Sequence, residues 1–176
     1  MVNLFEYFAF RIFRLLGILR LQRILHFRVQ RRLFLDYFKG FEDLPAVRGI
    51  FGAETEEVLR NLKVEFTWVG GYMFVDSTDG CLVINSQYLG NGDKVDIYLD
   101  LIHELYHIKQ LRDGKELFDP QYEYVERPTE VEAYRYTVKE ARRLGLSDRR
   151  ILEYLKTEWM SDEDLKRLAK AVDVSC

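Results

Sequence analysis

The chain has 176 residues, 48% hydrophobic and 31% charged, with three Pro, two Cys and a net charge of −3. That is enough for one domain with its own core, and the composition excludes a disordered, collagen-like or disulfide-stapled chain. Charge is unevenly spread: residues 1–40 hold seven Arg and one Lys against Glu6 and Asp36, a net of +6, which leaves −9 for the rest.

Residues 1–40 are dense in Phe, Leu and Arg and read as a basic helical arm, with Gly17 a break and Gly40 a stop. Its longest uncharged runs are five residues, far short of the roughly 20 that a membrane span needs. Arginines also interrupt every candidate signal-peptide core. Packing on the body or on a second copy of the chain is the expected role. Lying at a membrane interface comes second, and nucleic-acid binding is the least favoured. The expected location is cytoplasmic, with a membrane-peripheral role open to the arm. Few Asn and Gln beside abundant charge point to a thermophilic source.

"FEDLPAVRG" reads as a linker, and "TEEVLRNL" (55–62) as a short helix. Val64, Phe66 and Trp68 alternate with polar residues, "GG" (70–71) marks a hairpin turn, and "YMFVD" and "CLVIN" supply two further strands. The expectation is a small antiparallel meander. Cys81, inside the last strand, is a small buried hydrophobe, and its distance from Cys176 matches no disulfide or metal spacing, as suits a reducing compartment. A terminal Cys176 thiolate blocking a metal is the lesser alternative to a plain chain end.

Asp93 can cap a helix running to about Arg112 and ending at Gly114; another should start near Pro128 and stop at Gly145. Ser147 and Ser161 each open a further short helix. The boundaries are an arm over 1–40, a body over 41–146 and C-terminal helices over 147–176, and the class is α+β.

The chemistry sits in "LDLIHELYHIKQ" (99–110). His103 and His107 are one helical turn apart, so both imidazoles share a face and can hold one Zn²⁺ at about 2.0–2.1 Å. Glu104 lies about 100° around the helix from His103, beside the metal rather than on it, where a general base for a metal-activated water would stand. Asp96 and Asp100 share the histidine face, while Ile97, Leu101, Leu105 and Ile108 fill the other side. His26 lies in the arm, so the third ligand is sought downstream among carboxylates, where "RPTEVEA" offers Glu130 and Glu132. Residues two apart face different ways, so only one of the two can reach the metal.

"HELYH" followed by a loop and a helix carrying "EVEA" resembles the gluzincin zinc metallopeptidases, and most of all their small archaeal minigluzincin forms. The resemblance covers roughly residues 63–145. It implies a zincin-like fold, peptide hydrolysis and Glu130 as third ligand, three residues before Ala133, with Glu132 turned outward. Where the family carries an Asp four residues after the ligand, this chain has Tyr134; the resemblance leaves Tyr134 or Asp100 to orient a histidine. It also implies a Tyr or His beside the developing oxyanion, with Tyr122, Tyr124, Tyr134 and Tyr136 as candidates. It further implies a substrate-pairing strand edge at "GCLVINS", latency through a blocking terminal segment, and a peptide or protein as substrate. The alternative is a non-catalytic zincin-fold protein that binds a membrane or another protein through residues 1–40.

Overall fold

The computed structural model describes residues 31–68 and 71–175. The expected helix over residues 1–30 and the Cys176 thiolate lie outside the described residues. So does part of the "GG" turn, of which only Gly71 is described, at a left-handed φ of +69°.

The class is α+β: a four-stranded mixed sheet with helices before and after it. The expected arm boundary at residue 40 moves. Arg32–Leu33 (β1) pairs antiparallel with Lys63–Thr67 (β2), and Phe34, which opens the short helix α1 (Phe34–Tyr37), is fully buried. The Phe34 amide donates to Leu62 O at 2.9 Å, and its ring meets Phe38 and Phe41 at 4.7 and 5.5 Å. The expected linker is also ordered. Pro45 occupies the first turn of α2 (Pro45–Phe51), where its missing N–H costs nothing, and Ala46, Val47 and Ile50 bury its inner face. The following helix is α3 (Thr55–Asn61).

The sheet is not the expected meander. Its order is β1-β2-β4-β3, with β4 (Cys81–Asn85) parallel to β2 and antiparallel to β3 (Met73–Asp76). Burial explains the order. Every residue of β4 is buried, as a continuous apolar run should be, so β4 takes the interior position. In β3 only Val75 is fully buried, and that strand tolerates the edge. Trp68 does not continue the inward face of β2: it lies just past the strand end and is 76% exposed. Cys81 is a free buried thiol whose pKa burial pushes up to about 11.

After α4 (Ser86–Asn91) comes the long helix α5 (Lys94–Arg112). Asp93 caps it, its carboxylate accepting from the amides of Val95 and Asp96. Then follow α6 (Pro128–Arg143), α7 (Asp148–Leu155) and α8 (Asp162–Ala171), the last opened by a reciprocal Ser161–Asp164 capping box. Two apolar clusters meet on α5. Ile97, Leu101, Ile102, Leu105 and Ile108 join the sheet and α1–α3, while Leu99 joins α6–α8. A helix held on both sides cannot turn its remaining polar stripe away, and that stripe carries the histidines.

If residues 31–40 belong to the body, Phe34→Ala should cost about 3–5 kcal/mol in urea denaturation, the usual range for emptying a buried phenylalanine site. A loss below about 1 kcal/mol would return this segment to a dispensable arm.

Candidate metal and active site

α5 and α6 pack together so that His103, His107 and Glu130 converge, all buried. The two Nε2 atoms are 2.9 Å apart, and Glu130 Oε2 lies 3.3 Å from His103 Nε2 and 3.5 Å from His107 Nε2. A tetrahedral centre with bonds of about 2.0–2.1 Å separates its donors by about 3.3–3.4 Å. Two of the three edges lie within about 0.1 Å of that length, and the His–His edge must open by a few tenths of an ångström. Glu130 Oε2 has no hydrogen-bond partner among the described residues. A buried carboxylate oxygen left so beside two imidazole nitrogens fits a divalent cation.

Charge tells the same story. Burial opposes ionisation of Glu130, but His107 and His103 outweigh it and hold its pKa well below the usual carboxylate range. Burial also works against a charged His107, yet the Glu130 and Glu104 carboxylates raise its pKa above the ordinary value. His103 is lowered, by burial first and then by the neighbouring His107. A metal binding these donors would compete with a proton on His107.

Gln110 orients His107. Its amide nitrogen donates to Thr129 O at 3.0 Å and Glu132 Oε2 at 2.9 Å, which leaves its oxygen facing His107 Nδ1 at 2.7 Å. Nδ1 then carries the proton and Nε2 faces the cluster. Glu132 points away from the cluster, where it also accepts from Lys115 Nζ at 2.6 Å. Gln110 was absent from the sequence-based site, although its place one turn beyond His107 was visible.

Neither expected partner of a histidine takes that role by hydrogen bonding. Asp100 accepts from Tyr88 OH at 2.6 Å and Tyr154 OH at 2.9 Å. Tyr134 stacks its ring 4.3 Å from that of His103 and shares a hydrogen bond of 2.8 Å with Tyr124 OH. His103 Nδ1 has no partner among the described residues. Of the other tyrosines, Tyr136 donates to Ala46 O at 2.6 Å, and Tyr122 is 45% exposed.

The cluster opens into a cavity of about 720 Å³, within the ordinary range for a ligand site. Glu104 lines it, accepts from the Val75 main-chain N–H of β3, and has its pKa pushed by burial up to about 8. Met73 and Phe74 of β3 line it as well, whereas "GCLVINS" spans the interior strand β4, with Gly80 of the turn before it and Ser86 at the start of α4, so the edge strand facing the cavity is β3. Tyr124 and Tyr134 contribute hydroxyl-bearing walls. The far wall comes from residues 153–159, where Trp159 meets Tyr72 at 5.6 Å. Arg150 reaches Asp93 and Asp96 and ties that wall to the start of α5.

No protein-family model, curated protein or solved structure matches the chain. Among the described residues, no helix is long and apolar enough to cross a membrane.

Burial raises the Asp100 pKa to about 7 from an ordinary 3.8, against the two tyrosine hydroxyls that favour its charge. An acid raised on folding costs stability as pH climbs from its unfolded through its folded value, here about pH 4 to 7. Asp100→Asn should therefore gain on the parent between pH 5 and pH 8, measured as the difference in urea midpoints. A difference constant with pH would show that Asp100 ionises freely in the fold.

Proposed function

We propose that the chain is a zinc-dependent peptidase of gluzincin type, with His103, His107 and Glu130 as ligands and Glu104 as general base. The observation that carries the reading is the near-tetrahedral spacing of three buried donors beside a carboxylate that lines the same cavity. Two imidazoles and one carboxylate form a donor set suited to catalytic zinc, which keeps a fourth position open. When bound there, zinc supplies the Lewis acidity that makes water nucleophilic and polarises a carbonyl.

The protein's own groups do the rest. Glu104 takes the proton of the attacking water and passes it to the departing amine. Its place on the cavity wall, next in sequence to a ligand histidine, suits both halves of that task, because the same carboxylate can face the attacking water and the departing amine. The Val75 N–H fixes the Glu104 carboxylate against β3. Tyr124 and Tyr134, joined through their hydroxyls, can turn one O–H toward negative charge developing on the carbonyl oxygen. An extended peptide along the edge of β3 gains main-chain hydrogen bonds with little dependence on its sequence.

The test is Glu104→Gln in the full chain. It should keep about one zinc per chain while hydrolysis of a mixed peptide library, followed by mass spectrometry, falls by about 10²–10⁴. Full hydrolysis by the variant would remove the general base and, with it, this mechanism.

A further inference from the structure

We propose that Arg127 recognises a carboxylate of the substrate inside the cavity. The inference rests on the peptidase reading of this site and adds to it a class of substrate.

Arg127 occupies the N-cap position of α6 and lines the cavity, with only 13% of its side chain exposed. A buried guanidinium is costly unless it is paired and hydrogen-bonded. Its Nε has no hydrogen-bond partner among the described residues. The nearest carboxylate oxygen, Glu130 Oε1, stands 3.7 Å from Nη1, outside hydrogen-bond reach. Glu130 does not complete the pair: its other oxygen turns toward the two histidines. Phe118 faces the guanidinium at 6.0 Å and offers only a ring. Arg143, by contrast, forks onto Glu140 at 2.6 and 2.7 Å, as an arginine with a structural partner does.

Arg127 is thus a mostly buried cation with spare donors on the wall that also holds Glu130. Its planar fork matches a carboxylate in two parallel hydrogen bonds, a fit that a lysine cannot reproduce. The carboxylate is either the α-carboxylate at a peptide's C-terminus or the side chain of an Asp or Glu within it. Either would place the scissile bond within the cavity next to Glu104.

Binding tests this without turnover. Full-length Glu104→Gln, loaded with zinc, is titrated against fluorescent peptides in matched pairs: free against amidated C-terminus, and Asp or Glu against Asn or Gln. One of the two carboxylate sets should bind about tenfold or more tighter than its neutral match, and which set does so identifies the source. Adding Arg127→Gln should collapse that gap, with zinc content and melting temperature unchanged. If Arg127→Gln does not fold, Arg127→Lys replaces it and should lose most of the gap while keeping the charge. A gap that survives both variants overturns the proposal, as does the lack of any gap or of any peptide binding. Zinc loss on Arg127→Gln also overturns it, since Arg127 would then serve only to support Glu130. A parent chain that cleaves no peptide, while the Arg127-dependent gap persists, would remove the peptidase reading and leave the carboxylate site standing.

Discussion

The Gln110 side chain is the joint on which the site depends. It is 1% exposed and joins α5 to the start of α6 through Thr129 O and Glu132 while holding the ring of His107. A buried amide must satisfy donors and acceptor together, and here only one orientation does so. That orientation sets the histidine tautomer and the relative placement of two helices at once. The spacing between His107 and Glu130 is therefore a consequence of hydrogen bonding at one residue as much as of helix packing.

Around that joint the fold concentrates charge where charge is expensive. Five carboxylates, two imidazoles, one guanidinium and one ammonium line one cavity, and burial is the largest influence on Glu104, His103, His107, Glu130 and Asp100 alike. The protein offsets this cost unevenly. Asp100 is met by two tyrosines and Glu104 by a main-chain amide, but among the described residues Glu130 Oε2 and Arg127 Nε find no hydrogen-bond partner. Groups left so inside a folded chain mark where binding partners enter, and these two lie on the same wall.

Much of the frame was legible because local rules govern it. Asp93, Ser147 and Ser161 cap the helices that follow them, and Gly114 and Gly145 end helices at left-handed φ values. The i, i+4 spacing of His103 and His107 placed both rings on one face before any tertiary contact was known. What stayed hidden depends on partners far apart in sequence. Strand order follows from burial on both faces of β4, which no turn residue announces. Residues 31–40 look like a continuation of the basic arm until β1 pairs with β2 and Phe34 enters the core. Asp100 shares the histidine face as expected, yet tyrosines on α4 and α7 claim it. Nothing in the sequence singles out Arg127, which stands before Pro128; only its burial beside Glu130 makes it chemically interesting.

Whether two imidazoles and one carboxylate hold zinc between α5 and α6 is the question on which the proposed chemistry turns. X-ray absorption on the zinc-loaded full chain reads that donor set directly. The expected result is a first shell of nitrogen and oxygen at about 2.0–2.1 Å, with an imidazole scattering pattern for two rings. A sulfur shell at about 2.3 Å would place the metal on a cysteine instead, and a chain that takes up no zinc would leave His103, His107 and Glu130 as a purely structural cluster.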